Sequence, residues 1–133
     1  MAINAYSLAR DGGTYLSKNF QVKEFYCRDG SDPIFVDTEL VTLLQKIRDH
    51  FGKAVHINSA FRTASYNAKQ KNAAKYSQHL YGKAADIWIA GVSVDTLAAY
   101  AETLLPNKGG IGRYHTDGFV HVDVRKAKSR WTF

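Results

Sequence analysis

The stretch GIGRYHTDGFVHVDVR, residues 110–125, decides the fold class. Its flanks, GIGRY and FVHVDVR, read as strands, and HTDG between them is a strong turn signal. The unit is a hairpin, and alternation along its second strand places Phe119, His121 and Asp123 on one face. Working back from it, Ser93 caps a helix with Val94, Leu97, Ala98, Ala101, Leu104 and Leu105 on one side, ending at PNKGG. AADIWIA (84–90) and AVHIN (54–58) are two further strands, with Trp88 expected in the core and His56 as a structural residue on one side of the sheet. An earlier helix is predicted over Thr38–Phe51. Asp37 is its N-cap, Leu40, Leu43, Leu44, Ile47 and Phe51 recur at helical spacing, and Gly52 stops it. SAFRTASYNAKQ is a loop running into a short polar helix near Ser65–Lys71. Residues 1–20 read as an irregular arm, after which a short helical turn docks Phe20, Phe25 and Tyr26. Helices and strands occupy separate stretches, which predicts an α+β domain: a small antiparallel sheet with flanking helices.

The chain has 133 residues, the length of a single domain (1–133) able to bury a core without staples. An apolar share of 45% with eight Tyr, seven Phe and two Trp describes a folded protein rather than a disordered one. No apolar run reaches the length of a membrane span. The start, MAINAYSLARDGGTY, has no basic region followed by an apolar one, so no signal peptide is expected. Cys27 is the single cysteine, so a disulfide within the chain is excluded and a metal site must use His, Asp and Glu. The net charge of +6 suits a polyanionic partner such as nucleic acid, an anionic membrane or a bacterial wall. The basic residues form no block and no established nucleic-acid motif is present, so nucleic acid is not the expected partner.

SQHLYGKAAD, residues 77–86, sets His79 and Asp86 either side of Gly82, just before a strand. That spacing admits two metal ligands or two unrelated surface residues. With His121 added, two imidazoles and a carboxylate that leave a position open for water are a ligand set for catalytic zinc. His50, near the end of the first long helix, suits that terminus as a cation and carries no further role.

SAFRTASYNAKQKNAAKYSQHLYGKAADI, with FVHVD downstream, resembles the signature of the zinc D-alanyl-D-alanine carboxypeptidase and endopeptidase family. The match lies in Arg62, Ser77, His79, Gly82, Ala84 or Ala85, Asp86 and His121, and runs from about LSKNF to SRW. The wider fold group includes the Hedgehog signalling domain. The resemblance implies that His79, Asp86 and His121 bind zinc, which lowers the pKa of water to about 7 for attack on a peptide carbonyl. It gives Arg62 the oxyanion or a substrate carboxylate to hold, and Ser77 and Tyr81 a place in substrate binding, with Tyr76 also beside His79. In several relatives an acid stands three residues before the last ligand; here that residue is Gly118. Asp123 is therefore the first choice as general base and His115 the second, while the turn composition accounts for Asp117. Asp123 has an alternative role in orienting a ligand.

These expectations describe a zinc peptidase cutting stem peptides of bacterial peptidoglycan, as a D-Ala-D-Ala carboxypeptidase or an L-Ala–D-Glu or D-Ala endopeptidase. An endolysin-type protein, monomeric and reaching the wall after phage-type membrane permeabilisation, fits the small size. The competing reading is a zinc-stabilised binding module for the wall or a protein partner that has lost catalysis.

Overall fold

The computed structural model describes residues 2–70 and 73–133. The elements follow in the order β1 (Ile3–Ser7), α1 (Leu8–Asp11), β2 (Tyr15–Ser17), β3 (Phe20–Gln21), a 3-10 turn (Val22–Phe25), β4 (Pro33–Asp37) and α2 (Thr38–Phe51). Then come β5 (His56–Ser59), α3 (Ala64–Ala68), a second 3-10 turn (Gln78–Tyr81), β6 (Ala84–Trp88), α4 (Val94–Leu104), β7 (Gly110–Tyr114), β8 (Phe119–Asp123) and β9 (Ser129–Thr132). The α+β reading stands. α2 has the bounds its sequence predicts because both ends are locally encoded. Asp37 Oδ1 accepts from Glu39 N at 2.9 Å, and Gly52 ends the helix in the left-handed region at φ 63°. α4 starts likewise, with Ser93 Oγ accepting from Thr96 N at 3.1 Å. α3 is shorter than expected, and Lys71, the end of the predicted helix, lies outside the described residues.

The main sheet has the order β5-β6-β8-β7-β9. Its first four strands pair antiparallel, whereas β9 joins the far edge parallel to β7, a strand the sequence reading did not include. One face carries Ala85, Ile87, Ile111, Val120 and Val122, all buried, and α4 packs on β7 and β8. Leu40, Leu44 and Ile47 of α2, Leu97 and Ala101 of α4, and Phe20 and Phe25 complete that core. The opposite face carries Asp86, Trp88, His121 and Asp123.

Two expectations are corrected. The N-terminal arm is ordered: β1 pairs antiparallel with β4, and β2 with β3. Its order comes from a partner far along the chain, which local pattern does not show. Trp88 is not core. It is 37% exposed although Asp86 on the same face is buried, because it stands at the end of β6 where that face is open. Its indole Nε1 donates to Asn58 Oδ1 at 3.0 Å and its ring stacks on His56.

Candidate metal centre

Residues 60–70 and 73–83, between β5 and β6, bring the second 3-10 turn beside β6. Ser77 caps that turn, its Oγ accepting from His79 N at 3.2 Å, and Gly82 closes it at φ 69°. A Cβ on Gly82 would collide with the Phe35 carbonyl oxygen, so β4 can back the turn this closely only against glycine. Asp37 N then donates to Gly82 O at 2.8 Å. His79 is thereby held over Asp86, which pairs across the β6–β8 ladder with His121.

The three predicted ligands meet. One ligand atom from each of His79, Asp86 and His121 lies within 4.8 Å of the others, and all three residues are buried. His79 Nε2 is 3.2 Å and His121 Nδ1 3.0 Å from Asp86 Oδ1. The far side of each ring is committed. His79 Nδ1 donates to Ala60 O at 2.6 Å, and His121 Nε2 donates to Asp123 Oδ2 at 2.7 Å. Each neutral ring therefore turns a lone pair toward a carboxylate oxygen, an arrangement that repels unless a cation sits among them. Two imidazoles and a carboxylate, all buried and oriented from behind, fit a divalent metal ion.

Without an ion, protons on the rings take the place of the cation and turn the contact with Asp86 attractive. Burial would raise the Asp86 carboxyl, but His79 and His121 hold it well below the usual carboxylate range. Burial lowers His79, whereas His121, also buried, is raised by its hydrogen bonds to Asp123 and Asp86.

Asp123 is fully buried and every oxygen is engaged. Oδ1 accepts from Gly110 N (2.9 Å), Arg125 N (3.1 Å) and Arg125 Nε (2.9 Å), while Oδ2 accepts from Arg125 Nη2 (2.6 Å) and His121. The geometry suits the alternative role, orientation of His121. His115 lies elsewhere, exposed, with Nε2 2.9 Å from Asp95 Oδ1. Arg62 is in the site, its side chain 13% exposed. Its Nε donates to Ser59 Oγ (3.0 Å), Nη1 to Asn67 Oδ1 (3.2 Å) and Nη2 to Asp86 Oδ2 (3.3 Å).

The centre floors a cleft of about 740 Å³. Gln70, Tyr76, Ser77 and Gln78 line one side, and Tyr114, Phe119, Trp131 and Phe133 the other, with Asp117 and Arg125 also lining it. Tyr81 is exposed but is not among the described lining residues. Sequence reasoning missed Arg125, Asn67 and Trp131. Trp131 lies with its ring 5.0 Å from that of His121 and donates Nε1 to Tyr114 OH at 3.0 Å. Its signal was Gly112, a glycine inside a strand, where a Cβ would strike the indole.

Comparison with known proteins agrees with this geometry. A 74-residue stretch is 40% identical to the "Probable peptidoglycan L,D-endopeptidase MepK" of Haemophilus influenzae, covering 53% of this chain and 39% of that protein. Over 126 residues the chain is 27% identical to the peptidoglycan L,D-endopeptidase MepK of Escherichia coli, covering 89% of this chain and 68% of that protein. The aligned part is thus about two fifths of the first relative and two thirds of the second. No solved structure gives a significant match. The family described as Peptidase M15 matches residues 18–123, a span that holds all three candidate ligands, Arg62 and Asp123. The chain belongs to the peptidase M15 family.

Proposed function

We propose that this protein is a zinc-dependent peptidase acting on the stem peptides of bacterial peptidoglycan. The observation that carries the reading is the convergence of His79 Nε2, His121 Nδ1 and Asp86 Oδ1 on the floor of an open cleft, with both rings pinned from behind. The names of the two relatives favour an endopeptidase acting at an L,D link over a carboxypeptidase. Zinc is the metal this donor set fits, and when bound it supplies Lewis acidity for activating water and polarising a carbonyl near neutral pH.

The remaining work falls to the chain. Three of the five N–H groups of Arg62 are used by Ser59, Asn67 and Asp86, which leaves two for a substrate carbonyl or carboxylate oxygen. Asp123 keeps His121 in the tautomer whose Nδ1 faces the centre. The proton acceptor must be a group with a free oxygen or nitrogen beside the centre. Asp123 offers none and His115 is bound to Asp95, so we assign the role to Asp117 on the ground that it lines the same cleft, as the other carboxylate besides Asp86 among the described residues. The whole chain acts as one domain and as a monomer at the wall, and its net +6 charge holds it to anionic wall polymers. Among the described residues no helix is long and apolar enough to cross a membrane.

The test is mass spectrometry of purified wall peptides digested with zinc-loaded protein. New products that reveal a cut at an L,D link are expected. No products, or equal products from a His79→Ala variant, overturn the reading.

A further inference from the structure

The face of the five-stranded sheet that carries the ligand row carries a second row of side chains beside it. Two residues along each strand from Asp86, His121, Gly112 and Trp131 stand Trp88, Phe119, Tyr114 and Phe133. Trp88 is in turn the register partner of His56 on β5. Because side chains alternate, the five rings share the face of the ligands, about 7 Å further along the strands. Phe133 just follows β9, yet it stays in line because its N donates to Arg113 O (2.8 Å) and its O accepts from His115 N (3.3 Å).

The rings form two stacks. His56 and Trp88 lie 4.2 Å apart with 19° between their planes. Tyr114 lies between Phe119, at 4.4 Å, and Phe133, at 5.0 Å. Both ends of the row are open to solvent: His56 is exposed beside Trp88, itself 37% exposed, and Phe133 is 57% exposed. The row is continuous with the metal cleft, since Tyr114, Phe119 and Phe133 line it. It crosses all five strands, a span of about 19 Å at the ordinary strand spacing.

Direction and chemistry select the occupant. An extended peptide that adds to a sheet runs along an edge strand and takes backbone hydrogen bonds. This row runs across the strands, where ring surface is on offer instead. At the β5 end its polar neighbour is a neutral amide: Asn58 accepts from Trp88 Nε1 through its oxygen, and its amide nitrogen remains a donor, while Asp117 lies toward the cleft end. The fixed cations of the cleft, Arg62 and Arg125, belong with the ligand row. Flat apolar rings beside neutral hydrogen-bonding groups match a polymer whose units pair apolar ring faces with hydroxyl and acetamido groups.

We propose that this row binds the glycan of the wall polymer, a chain of N-acetylated hexosamines. Building on the peptidase reading, it holds the sugar while the attached peptide stem enters the cleft alongside. The row is then a determinant of substrate choice: glycan-bearing stems are favoured over free peptides.

The experiment is a titration of the 133-residue chain with the β-1,4-linked tetramer of N-acetylglucosamine, followed by tryptophan fluorescence and by amide chemical shifts. Saturable binding is expected, with shifts at residues 56, 88, 114, 119 and 133. Trp88→Ala and Phe133→Ala should each weaken it about fivefold to tenfold. Trp88→Phe, which keeps a ring on His56, should retain most of it and guards against misfolding. Tyr15→Ala, 64% exposed on β2, should bind as the wild type does. Absence of binding up to millimolar sugar, or equal binding by Trp88→Ala and Phe133→Ala, overturns the proposal. So does a dimer that Trp88→Ala dissociates while sugar leaves it intact, because a second copy then owns the row. The titration reads no bond cleavage. A protein that binds sugar but cuts no wall peptide refutes the peptidase reading and leaves the row standing. One that cuts but does not bind refutes the row alone.

Discussion

Asp123 holds His121 by its Nε2 at 2.7 Å and thereby aims Nδ1 at Asp86. The carboxylate is itself gripped by both Nε and Nη2 of Arg125 and by the amide of Gly110. The chain Arg125–Asp123–His121 therefore fixes a ring tautomer from outside the centre. An Asp123→Asn variant keeps the shape but offers an amide where Nε2 needs an acceptor. Zinc affinity should fall about 10–100-fold with the fold retained, as measured by chelator competition alongside circular dichroism.

Asp117→Asn separates proton transfer from metal binding. Turnover on wall peptides should fall about 10²–10⁴-fold, while zinc affinity stays at the wild-type value. Unchanged turnover would return the role to another group.

Protons act on the centre in two ranges. Zinc needs both imidazoles neutral, and His121 is raised while His79 is lowered, so affinity should already decline as pH falls from above the ordinary imidazole value of about 6.5, with the proton on His121 the first competitor. Isothermal titration across pH 5.5–8, chosen to bracket that value, measures the decline. In the metal-free protein, Asp86 and Asp123 both lie below the usual carboxylate range: burial alone would raise them, but the imidazoles and, for Asp123, Arg125 outweigh it. Their unfolded forms then bind more protons as the solution is acidified. The stability they contribute is present above about pH 4 and is lost as pH falls further. The two histidines, shifted in opposite directions, pull the pH dependence opposite ways above that window. Urea unfolding of metal-free protein between pH 3 and pH 6, a window set around about pH 4, should show the loss, and Asp123→Asn should flatten it.

Gly82→Ala tests the backing of the metal turn. Its Cβ meets the Phe35 carbonyl at a φ of 69°, so the variant should lose about 2–4 kcal/mol in denaturant unfolding. Its zinc affinity should fall as well, because His79 belongs to the displaced turn.

The features legible in the sequence were those with local causes. α2 was readable from Asp37, the apolar spacing and Gly52, and the β7–β8 hairpin from HTDG. The motif around His79 and Asp86 and the strand position of His121 identified three residues that do converge. What escaped depended on partners distant in the chain. β1 gains its order from β4, and β9 from β7. Alternation placed Trp88 on a face but did not reveal that this face, buried around Asp86, is open at the end of β6. It likewise aligned Asp123 with His121 while the neighbours that saturate its oxygens, Arg125 and Gly110, went unseen.

Asp37 serves two structures at once: its side chain caps α2, and its backbone N–H holds the carbonyl of Gly82. Occupancy of the centre and integrity of that helix start are therefore reciprocal, each favouring the other by the same free energy. Zinc should slow hydrogen exchange at the Glu39 amide, remote from the ion itself, and the first turn of α2 becomes a reporter of whether the centre is loaded.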